Sequence, residues 1–147
     1  MTRTSSVWAT GFAPTTTRHD SPEAGNTDPQ AAGEFFKTLL DAVTTGHLLH
    51  LKSRSFSQHS ALGTFYSELE ELTDGLIEAY QGKYGVLDSY PDGPSIPAGQ
   101  PIPFVTALSN YVRNTRGAVA NDSEIQNEID TIQKLIDSTL YKLTNLQ

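Results

Sequence analysis

Two helical stripes laid end to end constrain this chain more than any other feature. Phe36, Leu40 (with Leu39 beside it), Val43, His47 and His50 recur at steps of three and four residues, the period of a helix face turned toward a core. After a short polar break at Lys52-Ser53-Arg54-Ser55, the pattern resumes with Leu62, Phe65/Tyr66, Leu69, Leu72/Thr73, Leu76 and Tyr80. Neither stripe can be buried by one helix alone, so the chain must pack helix on helix. The first stripe ends in histidines, which sets it apart from a plain core.

Start and stop signals place the elements. Asp28-Pro29 offers a capping carboxylate followed by proline at the first helical position. The second helix is expected to begin near Ser57, with Phe56 as a hydrophobic staple, and to stop at Gly82. Residues 83–103 hold five prolines (Pro91, Pro94, Pro97, Pro101 and Pro103) together with Gly85, Gly93 and Gly99, so this stretch reads as a long loop or crossover. A third helix is expected from Pro103 to about Ala120, with Phe104, Leu108, Tyr111/Val112 and Val119 inward. Ser123-Glu124-Ile125-Gln126 reads as a capping box. It opens a last helix with its stripe at Ile125, Ile129, Ile132, Ile136, Leu140 and Leu143. Helices over about 29–51, 57–82, 103–120 and 123–145, joined by short, long and short connections, make an all-α four-helix bundle of residues 29–147. Gly75 and Gly117, inside predicted helices, suggest close helix approach.

Residues 1–28 form a polar arm whose large apolar side chains are Trp8 and Phe12. Such a segment cannot recover its ordering entropy alone: it reads either as a disordered tail or as an arm that docks Trp8 and Phe12 onto a neighbouring subunit or partner. With 147 residues and a formal charge of −7, the chain is one domain that does not attract phosphate backbones. Arg3 and Arg18 do not make a basic DNA-binding tail, so nucleic acid is not an expected partner. The absence of cysteine excludes disulfides, iron–sulfur clusters and thiol chemistry. No apolar run is long enough to span a membrane, and the first residues lack the apolar core of a signal peptide.

The segment His47 to Glu78 resembles the Dps family of ferritin-like proteins. His47 lies late in the first helix, His59 twelve residues on, Asp74 fifteen residues after that, and Glu78 four further. Phe65 and Tyr66 fit the aromatic positions of the second helix, and Tyr141 stands where the family often has tryptophan. The wording SFSQHSALGTFY…AYQGKYG is most similar to the small Dps-like proteins of tailed bacteriophages. The resemblance implies a ferritin-like bundle, a homo-oligomer that extends to a closed shell, and iron held by His47, His59, Asp74 and Glu78, with ferroxidase activity if the site is complete. It implies a cytoplasmic or virion-incorporated protein.

The spacing bears on how such a site would be built. Fifteen helical residues span roughly 22 Å, so His59 and Asp74 of one chain cannot share an ion. Two antiparallel second helices from two subunits would set Asp74 and Glu78 of one against His47 and His59 of the other, and the resemblance implies the same arrangement. Glu70 and Glu71, one turn earlier, would add charge around the ligands, and His50 is a substitute ligand one turn after His47. The family expects a carboxylate four residues after the second histidine, and this chain has Gly63 there. The same imidazoles and carboxylates also suit a hydrogen-bonded interface network without metal. Two functions follow: iron binding, or a structural assembly module anchored by the arm, such as a phage virion component.

Overall fold

The computed structural model describes residues 27–147, and Trp8, Phe12 and the rest of the arm to residue 26 lie outside that range. Four α-helices account for the described chain: α1 (Pro29–Lys52), α2 (Phe56–Tyr84), α3 (Pro101–Thr115) and α4 (Ser123–Asn145), with a 3₁₀ turn at Arg116–Ala118. No strand is present among the described residues.

The core is built from the predicted stripes. Phe36, Leu39, Leu62, Phe65, Leu69, Leu76, Phe104, Leu108, Val112, Ile129, Ile132 and Ile136 are all fully buried. Aromatic contacts fix the relative directions of the helices. Phe35, early in α1, stacks on Tyr111, late in α3, with centroids 5.9 Å apart. Phe65, which packs under Gly46 of α1, meets Phe104 at the start of α3 at 6.2 Å. Helix α3 therefore runs antiparallel to α1 and parallel to α2. Lys83 at the end of α2 bridges to Asp122 and Glu124 at the start of α4, so α4 returns alongside α2. One connection must then cross the length of the bundle, which is the connectivity of four-helix bundles with a single long crossover.

Residues 85–100 make that crossover. They lie along α1, with Ser89 and Pro91 against Gly33, Gly93 against Thr38 and Glu34, and Asp92 paired with Lys37 at 3.2 Å. A Cβ on Gly33 would sit 2.5 Å from the Ser89 carbonyl oxygen, so glycine is what lets the strap approach the helix. Gln81 pins its start, accepting from the Leu87 amide at 2.9 Å and the Tyr90 hydroxyl at 3.1 Å.

Several element ends differ from the sequence expectation, for local reasons. Helix α2 begins at Phe56 with Ser55 as its cap, and the Phe56 ring is 86% exposed, so it staples nothing. The helix continues past Gly82 and stops at Gly85, whose φ of 95° suits only glycine without strain. Helix α3 starts two residues earlier than expected, because prolines fit a first turn whose amides have no intrahelical partner. The expected capping box does not form: Asp122 is the cap residue of α4. Gln126 instead donates to the carbonyls of Arg116 and Ala120 at 3.0 and 2.7 Å, clamping the α3–α4 corner. Gly75 and Gly117 have open space where a Cβ would be and mark no close helix approach.

Candidate functional site: an imidazole ladder at the α1–α2 corner

The sharp turn at Ser53–Ser55 sets the last two turns of α1 against the first three of α2. Three histidines and a tyrosine come together on its outer side. His50 and His59 lie face to face, ring centroids 3.7 Å apart at an interplanar angle of 23°. His47 stacks on Tyr66 at 4.1 Å and 13°. His50 meets the Tyr66 edge at 5.4 Å, which joins the two pairs into one ladder.

The His50–His59 pair is locked by reciprocal hydrogen bonds. His50 Nδ1 lies 2.7 Å from the His59 carbonyl oxygen, and His59 Nδ1 lies 2.9 Å from the His50 carbonyl oxygen. A carbonyl oxygen only accepts, so each Nδ1 carries the proton and donates. Both rings thus satisfy backbone carbonyls at the end of α1 and the start of α2 while leaving Nε2 free. His59 is exposed and His50 half-buried.

Gly63 makes room for this arrangement. A Cβ there would come within 3.0 Å of His50 Cε1 and 3.1 Å of Nδ1. A side chain at position 63, where the resembled family carries a carboxylate, would press on the His50 imidazole.

His50, and not His47, meets His59 across the turn. Asp74 and Glu78 are exposed on the distal half of α2, as are Glu70 and Glu71. Among the described residues no three His, Asp or Glu side chains gather closely enough to hold one ion. A single chain therefore does not assemble the four ligands that the resemblance implies. Sequence reasoning also did not find the α3–α4 polar network, in which buried Gln133 donates to Ser109 Oγ (2.9 Å) and Asp137 (3.0 Å) while Arg113 pairs with Asp137 at 2.6 Å. Only the i, i+4 step from Gln133 to Asp137 was visible in the sequence.

A second feature borders the ladder. Residues 42–51, AVTTGHLLHL, contain no Asp, Glu, Lys or Arg. Thr44, His47, Leu48 and Leu51 of this run are nevertheless exposed. Leu40, Thr44, His47 and Leu51 share one helix face, and Leu51 (64% exposed) leads to Phe56 (86%) across the turn. On α4, by contrast, the exposed positions include Glu124, Glu128, Asp130, Lys134 and Asp137.

Comparison with known proteins places the chain without assigning it an activity. It is 32% identical over 119 residues to an uncharacterized 14.6 kDa protein from the mobD–ri intergenic region of Enterobacteria phage T4, a match covering 79% of this chain and 90% of the phage protein. No solved structure matches. Residues 50–143, from the imidazole ladder to the last turns of α4, match the family of unknown function DUF5856, and the chain belongs to that family.

Proposed function

We propose that this chain is an assembly module of phage type: a helical bundle that pairs with a second copy of itself through the outer face of the α1–α2 hairpin, with residues 1–28 as the arm that ties it to a larger structure such as a virion. The observation that carries this reading is the uncharged run 42–51, whose Thr44, His47, Leu48 and Leu51 face solvent in a chain whose residues are 18% charged. A contiguous exposed apolar patch such as Leu48, Leu51 and Phe56 ordinarily marks a contact surface. Relationship to a phage protein supports the setting.

The charge pattern favours a second copy as the occupant. Lys52 and Arg54 stand at the hairpin tip, while the exposed Glu70 and Asp74 stand along α2 toward its far end. An antiparallel, two-fold docking sets the basic tip of each copy toward the acidic end of the other, with the leucines between them. Such an isologous contact uses the same patch twice, so each exposed leucine contributes at two places.

The test is the mass of the full chain by sedimentation equilibrium. We expect a multiple of 16.0 kDa, and Leu51→Asp and Phe56→Asp each weakening association by about 100-fold or more, as for central apolar anchors. Wild-type protein that stays monomeric at 100 µM, or association untouched by both substitutions, overturns the proposal.

Iron binding is the second reading, and it needs the same contact. Asp74 and Glu78 share a helix face and are remote from their own chain's imidazoles, so a partner's His47 and His59 are the histidines they would meet. Native mass spectrometry after anaerobic Fe(II) loading tests it: iron retained by the oligomer and lost in His59→Ala supports the reading, and an iron-free oligomer refutes it.

A further inference from the structure

We infer that residues 1–19 of this chain dock into the groove between α2 and α4 of their own bundle, with Trp8 and Phe12 over its apolar floor and the arginines toward α2. This seat presupposes that residues 1–28 act as an arm, as proposed above, but it does not depend on self-association.

The groove is open and measures about 480 Å³, within the range of clefts that hold a compact ligand. Half-buried Leu72 and buried Leu135 form its floor. Glu68 and Glu71 stand on the α2 wall, Lys134 and Lys142 on the α4 wall. Walls of opposite sign attract, yet none of these four side chains enters an ion pair among the described residues. An apolar strip is thus left open between two charged rims, the form of a seat for an amphipathic peptide.

Charge and reach name the occupant. Residues 1–19 carry Arg3 and Arg18 and no Asp or Glu, in a chain of net charge −7. The outer surface of α2 is their complement: Glu68, Glu70, Glu71, Asp74 and Glu78 are exposed, and no Lys or Arg lies between Arg54 and Lys83. Lys134 and Lys142 on the other wall direct the arginines to the α2 side. Thr27, the first described residue, lies beside the Tyr80 hydroxyl. Leu72 is eight residues earlier on α2, about 12 Å along its axis. The fifteen residues from Phe12 to Thr27 can span up to about 50 Å, so both aromatic residues reach the groove. Tethered this closely, the chain's own arm is present at millimolar effective concentration and prevails over a neighbour's arm in dilute solution. A larger structure would gain the arm by competing with the groove.

The seat is separate from the proposed self-association face. Glu70 follows Glu68 by 200° of helix rotation, so the Glu70 and Asp74 side of α2 is turned away from the groove.

Trp8 is the single tryptophan, so its fluorescence reports on the arm directly. The full chain is compared with Leu72→Asp and with the double variant Glu68→Lys/Glu71→Lys, whose positions are exposed and which keeps the test valid if Leu72→Asp does not fold. We expect Trp8 emission at shorter wavelength, and acrylamide quenching several-fold weaker, in the full chain than in either variant, independent of protein concentration. Arg3→Glu/Arg18→Glu should release the arm, and its combination with Glu68→Lys/Glu71→Lys should restore protection. A nitroxide on Asn127→Cys, in a chain otherwise free of cysteine, should broaden the Trp8 indole N–H signal of its own chain and not that of a nitroxide-free, isotope-labelled chain mixed with it. Quenching of Trp8 equal to that in urea-unfolded protein, or protection that survives both groove variants, overturns the inference. Broadening only between chains, or protection that fades on dilution, assigns the groove to a neighbour's arm and overturns it as well. The measurements are repeated on Leu51→Asp. Protection retained there supports the own-chain seat whatever the fate of the assembly proposal, and protection lost in that folded, monomeric variant refutes it.

Discussion

Replacing Gly63 by alanine sets two effects of similar size against each other, and Gly75 provides the control within the same helix. In an exposed helix interior, glycine to alanine stabilises by about 1 kcal/mol. At Gly75 nothing lies within 4 Å of the added Cβ, so Gly75→Ala should deliver that gain in full. At Gly63 the Cβ meets His50 Cε1 at 3.0 Å and Nδ1 at 3.1 Å, and the ring must give way toward solvent. A shift of a few tenths of an ångström lengthens the His50 bond to the His59 carbonyl and disturbs the stack that positions the return bond from His59. Each bond contributes roughly 0.5–1.5 kcal/mol, at the low end for groups this exposed. Together they are worth about 1 kcal/mol, so weakening them offsets the alanine gain.

Urea and thermal denaturation of the two variants measure the difference. For a chain of this size 1 kcal/mol moves Tm by about 4 °C. We expect Gly75→Ala to raise Tm by about that amount and Gly63→Ala to leave it unchanged or lower it. Equal gains in the two variants would refute the claim that Gly63 seats the His50 imidazole. Nitrogen-15 spectra of Gly63→Ala report on the same point, since freeing His50 from the carbonyl removes the constraint on its tautomer.

Two further outcomes follow from the fold. The Lys83 ammonium holds the Glu124 carboxyl below its ordinary value of 4.5. A depressed carboxylate stabilises fully above its unfolded value, and the contribution is lost as the pH falls through the lower folded value. Lys83→Met should therefore flatten the fall in stability on acidification below pH 4.5, by a modest amount because the pair is exposed; an unchanged acid limb would refute the assignment. In the core, Ile132 is fully buried, so Ile132→Ala should destabilise by about 2–5 kcal/mol through lost burial and a residual cavity, and a loss under 1 kcal/mol in urea melts would contradict the packing described.

Helix period made the bundle legible in the sequence, because Phe36, Leu69, Leu76, Ile129 and Ile136 each fall on a stripe that no other secondary structure would bury together. The choice between neighbours on a stripe was harder: Leu39 is fully buried while Leu40 is 39% exposed, and one residue amounts to 100° of rotation about the helix. The same sensitivity explains the histidines. In an antiparallel hairpin, stepping back one turn along α1 steps the partner forward along α2. His50 therefore meets His59 beside the turn, while His47 reaches Tyr66. Spacing along the sequence marks which residues share a face, but the pairing register depends on the length of the turn at 53–55. Reciprocal bonds to carbonyls leave no trace in side-chain pattern, and neither does the space that Gly63 provides.

The crossover lies along α1 from Gly33 to the level of Thr45, where Ile96 comes alongside, and the leucines of the hairpin tip begin just beyond. Its span therefore acts as a shutter whose width fixes how much of α1 stays open. Lengthening a loop is thermodynamically inexpensive, since even a doubling adds only about 0.6 kcal/mol of closure entropy. A family member with a few more residues between Gly85 and Gln100 could draw the strap over Leu48 and Leu51 with its core unaltered. By this route the number of partners a chain accepts would be set in a connecting segment, by its length alone.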